Sequence, residues 1–175
     1  MCGPGSDAIY TGVAGGSYFN HHGGGSNYLC LPLDPIWGAY NESVEKLSKL
    51  HGSEYQWPTG LGLNNNHNRP LHDHNVPCVV CRSQTKSSVI MIPARNQCYN
   101  GLHTEYIGYL MSENSSHKGR TEFICMDGQP ESDPAGFRNE DEALFFNVEG
   151  VCGSLPCPPY APRREITCVT CVIRM

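Results

Sequence analysis

The stretch Cys2-Gly-Pro-Gly-Ser-Asp-Ala-Ile-Tyr10-Thr-Gly12 is written a second time as Cys98-Tyr-Asn-Gly-Leu-His-Thr-Glu-Tyr106-Ile-Gly108. In both copies a tyrosine follows the cysteine by eight residues and a glycine follows the tyrosine by two. Each copy then reaches an aromatic residue two places before a cysteine, Tyr28 before Cys30 and Phe123 before Cys125. Each closes on a Cys-x-x-Cys, Cys78-Val-Val-Cys81 and Cys168-Val-Thr-Cys171. The frame is displaced by 96 residues at its start and by 90 at its end, so the loops differ while the order of cysteines and aromatics persists. Self-similarity of this kind is the mark of a repeated structural unit. The sequence therefore predicts two homologous half-domains, 1–93 and 94–175.

At 175 residues the chain is long enough for one sizeable domain or two subdomains sharing a core. A net charge of -5 and the absence of any Lys/Arg run exclude a general nucleic-acid footprint. No apolar run approaches the roughly 20 residues of a membrane span. Met1-Cys-Gly-Pro-Gly has no secretory-signal pattern, so a leader is expected outside this sequence. Ten cysteines, with the sequons Asn41-Glu-Ser43 and Asn114-Ser-Ser116, point to an oxidising compartment and a secreted glycoprotein. The two Cys-x-x-Cys pairs also suit a four-thiolate zinc site. Against zinc, they stand 87 residues apart, six cysteines would be left over, and each pair has its own upstream cysteines. A thioredoxin-like role fits less well, because neither motif opens a helix after a strand.

Strand and turn signals dominate. Ala8–Val13 is a β-branched and aromatic run, and Gly15-Gly16 and Gly23-Gly24-Gly25 break the next segment into turns. The glycine run precedes no Lys-Ser/Thr and no helix, so it reads as a tight turn rather than a phosphate cradle. Tyr28–Leu33 predicts a buried strand stopped by prolines. Asn41–Leu50 predicts the one short helix, with Val44, Leu47 and Leu50 on one side and the pairs Glu42/Lys46 and Glu45/Lys49 on the other. Residues 59–70 are loop-like, and Pro77–Pro93 predicts a hairpin bridging the halves. Glu105–Met111, Glu122–Met126 and Ile166–Ile173 predict strands, and Ala143–Val148 is apolar again; Asp127–Glu142 predicts a solvated loop. The expected fold is mainly β: two tandem disulfide-bonded β subdomains with one short helix.

The run Cys78-Val-Val-Cys81, Val89-Ile-Met-Ile-Pro93, Cys98 and Glu105-Tyr-Ile-Gly-Tyr-Leu-Met111 resembles the junction between the halves of the C-terminal non-collagenous domain of type IV collagens. The chain is still more similar to the C-terminal domains of spongin-type short-chain collagens. That likeness rests on Gly15-Gly16-Ser17-Tyr18, Gly24-Gly25, Asn27-Tyr-Leu-Cys-Leu-Pro32 and Cys152-Gly-Ser-Leu-Pro-Cys-Pro-Pro-Tyr160. The resemblance covers nearly the whole chain. It implies an extracellular-matrix structural module that assembles collagen-like chains as a homo-oligomer, with a trimer favoured. It also implies the pairs Cys2/Cys81 and Cys30/Cys78 in the first half, and Cys98/Cys171, Cys125/Cys168 and Cys152/Cys157 in the second. Cysteines three apart on a strand face opposite sides, which suits two different partners.

Other chemistry is sparse. His72 and His74 would share one face of a strand, and with Asp73 or His67 they are the candidate ligands for a divalent metal; no other cofactor is expected. His21-His22 is a weaker pair. No Gly-x-Ser-x-Gly elbow or Cys/His nucleophile context occurs, and Glu140 and Glu142 sit in an acidic turn, so no enzyme is expected. The alternative to assembly is a secreted glycan-binding, lectin-like or metal-binding recognition module, with glycans or matrix proteins as partners and with Trp37, Tyr40, Tyr55 and Trp57 as stacking surfaces or, more simply, as core residues.

Overall fold

A computed structural model of the chain describes residues 1–36, 48–56, 71–85, 87–133 and 135–174. Nine strands form one curled, mixed sheet: β1 (Ser6–Gly16), β2 (Leu29–Pro32), β3 (His51–Tyr55), β4 (Pro77–Ser83), β5 (Ser87–Pro93), β6 (His103–Ser112), β7 (Ile124–Asp127), β8 (Ala143–Asn147) and β9 (Thr167–Arg174). The main path runs β2-β1-β3-β8-β6-β9-β5, with β4 added to β1 and β7 to β6. No helix occurs among the described residues; residues 41–47 of the expected helix lie outside them, and residues 48–50 are irregular.

The repeated residues have a common physical cause. β1 runs antiparallel to β4, and the register skips one residue between Ala8 and Tyr10; β6 and β9 do the same between Thr104 and Tyr106. The extra residue is Ile9 in one ladder and Glu105 in the other, a β-bulge at the same place. Past the bulge Tyr10 donates its hydroxyl to the carbonyl of Cys30 at 2.9 Å, and Tyr106 donates to that of Cys125 at 3.0 Å. Gly12 and Gly108 pack flat under the neighbouring strand, where a Cβ would fall on the carbonyl oxygens of Leu31 and Met126. The Tyr-x-Gly spacing thus anchors one strand with a hydroxyl and lets the next approach with a bare Cα.

The links between the halves differ from expectation in two places. Pro77–Pro93 is not a hairpin: β4 pairs with β1, whereas β5 pairs with β9 from Ser87↔Arg174 to Pro93↔Cys168. Both runs carry strand-favouring residues, but period-2 patterning does not name a partner. The second difference is β3, a strand of His, Gly, Ser, Glu and Tyr that lies parallel to β8 with Ser53↔Ala143, Glu54↔Leu144 and Tyr55↔Phe145. It joins the β1 ladder to the β6 ladder. Tyr28–Leu33 yields only β2, which ends the sheet path, leaves Leu29 and Leu33 exposed and places Pro32 on an edge strand.

One core spans the strands from both halves. Ala14, Tyr55, Leu71 and Val76 pack with Met111, Met126 and Phe145, flanked by Tyr28, Tyr109 and Ile124. Tyr28 and Tyr55 both meet Phe145 edge-on, at centroid distances of 4.3 and 6.2 Å. Such contacts add to the apolar area that each ring removes from water.

Candidate functional site

Register places an apolar strip on one face of β6, β9 and β5. Ile107 and Ile92 pair with Val169 from either side, Thr104 and Ile90 with Cys171, and Ser88 with Ile173. Directly opposed residues share a face, as do alternate residues along a strand. Val169 and Cys171 form a fully buried floor, while Ile107, Ile90 and Ile173 stand 45%, 44% and 40% exposed. On the other face of β5 Val89 is 65% exposed. β5 ends the sheet path, and among the described residues no strand pairs with its outer edge. Exposed apolar strips and open strand edges are the features that associate with another chain.

The disulfides fix the strip in place. The pairs are Cys2–Cys81, Cys30–Cys78, Cys98–Cys171, Cys125–Cys168 and Cys152–Cys157, the set implied by the resemblance. No cysteine is free. Within each of β4 and β9 the two cysteines tie to different segments: Cys78 and Cys168 hold β2 and β7, whereas Cys81 and Cys171 hold the segments entering β1 and β6. A protein with this bridge density belongs to an oxidising compartment, which agrees with secretion. Among the described residues no helix is long and apolar enough to cross a membrane.

The histidine reading is corrected in its geometry. Residues 72–73 form a turn, Asp73 has a φ of 59°, and the His74 amide donates to the Leu71 carbonyl at 3.1 Å. A strand face therefore does not bring His72 and His74 together. The His74 ring nitrogen Nδ1 lies 3.1 Å from the His72 carbonyl, and His72 Nε2 lies 3.5 Å from Asp73 Oδ1, which also accepts from Gln56 at 3.0 Å. No group of three or more metal-ligating side chains forms among the described residues, and His67 lies outside them.

Of the two sequons, Asn41 lies outside the described residues. Asn114 sits in a turn where its Oδ1 accepts from both the amide and the hydroxyl of Ser116, each at 2.9 Å. Trp37, Tyr40 and Trp57 also lie outside the described residues. Tyr55 is a core residue, only 3% exposed, with its hydroxyl donated to the Glu131 carbonyl at 2.9 Å.

The acidic segment 127–142 is not simply solvated. Glu54, itself 3% exposed, accepts from the amides of Glu140 and Asp141 at 3.0 and 3.3 Å. Burial pushes its carboxyl above the ordinary range, and those two amides pull it back in part. Glu142 lies 3.2 Å from His51 Nδ1 and accepts from the Gly52 amide at 3.0 Å. Glu113 is a third such carboxylate, with its side chain 2% exposed. It lies 2.9 Å from His117 Nδ1 and accepts from the amides of Asn114 and Leu144. No sequence pattern marks these roles, because each carboxylate accepts from at least one backbone amide in a distant segment.

Compared with known proteins, the chain matches no protein-family model and no solved structure.

Proposed function

We propose that this chain is a secreted structural module of the extracellular matrix, built from two homologous half-domains, 1–93 and 94–175, that assembles collagen-like chains as a homo-oligomer, with the trimer favoured. The carrying observation is the isoleucine strip on β6, β9 and β5 beside the open edge of β5. Two further features support the reading: the matched bulges and tyrosine bonds of the β1 and β6 ladders, and the four bridges that tie β4 and β9 to their neighbours. A rigid face loses little conformational freedom on association, which favours a stable contact. The role is structural rather than catalytic.

The test is solution mass by light scattering at micromolar concentration without cross-linker. Wild type should run as a trimer. Ile90→Asp/Ile107→Asp should run as a monomer with an unchanged circular-dichroism spectrum, since both side chains are nearly half exposed in the single chain. A monomeric wild type at that concentration overturns the proposal.

A further inference from the structure

The loop after β1 and the loop after β6 hold the same place in the two copies of the frame, and they meet. Gly119 donates its amide to the Phe19 carbonyl at 2.8 Å, and Glu122 donates to that of Ser26 at 2.7 Å. The Tyr28 amide returns a bond to the Glu122 carboxylate at 2.9 Å. Between the loops lies a pocket of about 230 Å³. The glycine run 23–25 with His21 and His22 forms one wall, and Lys118 with Arg120 the other.

The pocket is rich in donors and poor in acceptors. Among the described residues no carboxylate lines it. The acids of the β6 loop are committed elsewhere, Glu113 to His117 and two amides, Glu122 to Tyr28. Neither Lys118 nor Arg120 forms an ion pair among the described residues, although the chain carries 17 acids against 12 Lys and Arg. Among the described residues the amides of Gly23, Gly24 and Gly25 also have no hydrogen-bond acceptor. Two cations and three glycines whose amides have no acceptor among the described residues line one space, and in a protein of net negative charge they make a local positive field rather than a basic surface.

The walls are set before any ligand arrives. Ser17, buried at the base, donates its hydroxyl to the Gly25 carbonyl at 2.6 Å. Gly24 has a φ of +122°, and a Cβ there would meet that same hydroxyl, so only glycine closes the wall. His21 is held by its amide, which donates to the Tyr18 carbonyl at 3.1 Å, and by ring packing on Tyr18 at 4.9 Å. The opposite loop is stiffened by His117, whose ring packs on Phe19 at 4.6 Å.

We propose that this pocket binds an oxoanion, the sulfate or carboxylate group of an acidic saccharide or the same group free in solution. The Arg120 guanidinium matches a planar or tetrahedral oxoanion with paired N–H donors, Lys118 adds a mobile point charge, and the glycine amides supply short neutral donors. The volume falls below the range of about 300–1,000 Å³ of drug-sized sites, so one charged group or one sugar unit fills it. The site uses no residue of the isoleucine strip and does not rest on the assembly reading.

The experiment uses the oxidised full chain, with calorimetric titration and amide NMR at low salt. The probes are sodium sulfate, a sulfated heparin-derived disaccharide and an unsulfated hyaluronan-derived disaccharide. Saturable binding of at least one probe is expected, with shifts at Gly23, Gly24 and Gly25. Lys118→Ala/Arg120→Ala should weaken it at least tenfold, while Arg95→Ala, a cation outside the pocket, should leave it unchanged. A saccharide at least tenfold tighter than sodium sulfate identifies the saccharide-borne group, and equal affinity identifies the free oxoanion. The thermal midpoint and oligomeric state of the double variant should match wild type, which separates this result from the test of assembly. No saturable binding of any probe at millimolar concentration, an unchanged affinity in the double variant, or unmoved glycine amides overturns the proposal.

Discussion

Cys30–Cys78 and Cys125–Cys168 are the inner bridges of the two halves, and removing each as an alanine pair separates two contributions that usually arrive together. Their sequence separations are 48 and 43, and each is nested inside a longer bridge of 79 or 73. Loop-closure entropy therefore assigns both nearly the same loss, about 4 kcal/mol at 25 °C before nesting, and nesting lowers both alike. Burial breaks the tie. Cys168 is wholly inaccessible, whereas Cys30, Cys78 and Cys125 are partly exposed. Deleting the Cys168 sulfur also opens a void in packed surroundings, which adds on the order of 1 kcal/mol. Equilibrium unfolding in guanidinium, followed by circular dichroism, reads the two losses; full ΔG values are needed because a missing cross-link raises the denaturant slope. Cys152→Ala/Cys157→Ala is the internal scale, with a separation of 5 and an expected loss of about 2 kcal/mol. The reasoning fails if the first-half variant loses as much as the second-half one, or if the five-residue bridge costs as much as either.

Individual side chains supply three more tests. Gly12→Ala and Gly108→Ala should each cost about 3 kcal/mol or block folding, because the new Cβ meets backbone carbonyls; Gly23→Ala, with nothing within 4 Å, should leave the thermal midpoint unchanged. Because burial raises the Glu54 carboxyl, its contribution is fully present below the ordinary carboxylate range and is lost as pH rises through the raised value. The thermal midpoint of wild type relative to Glu54→Gln should therefore fall from pH 4 towards neutrality, and a rising difference would contradict the burial argument. Burial likewise raises the phenols of Tyr28, Tyr55 and Tyr106, so spectrophotometric titration should show these three resisting ionisation until the chain unfolds in alkali, with Tyr28→Phe removing one late-titrating group.

The duplicated frame was legible because its elements are chemically rare: cysteines, a tyrosine two places before a glycine, and two Cys-x-x-Cys pairs leave few other readings. What stayed hidden involves partners rather than elements. His51–Tyr55 carries no strand signature, yet it becomes a strand because Glu54 satisfies the amides of Glu140 and Asp141 and because Tyr55 reaches the core. Val89–Ile92 reads correctly as a strand but not as the partner of a segment about 80 residues later. The pocket was half visible: His21-His22 and the glycine run stood out. Lys118 and Arg120, which give the site its charge, belong to no motif and join it only through the meeting of two loops.

The parallel pairing of β3 with β8 carries a consequence for biosynthesis. Both bridges of the first half lie within residues 2–81, so they can close as soon as that length of chain reaches an oxidising lumen. β3 gains its β8 partner only after about 65 further residues have been made, roughly 3 to 13 s at ordinary translation speeds. β5 waits a similar time for β9. During that interval the nascent first half is covalently locked yet lacks these two strand partners, which makes it a natural client for a chaperone that holds extended chain.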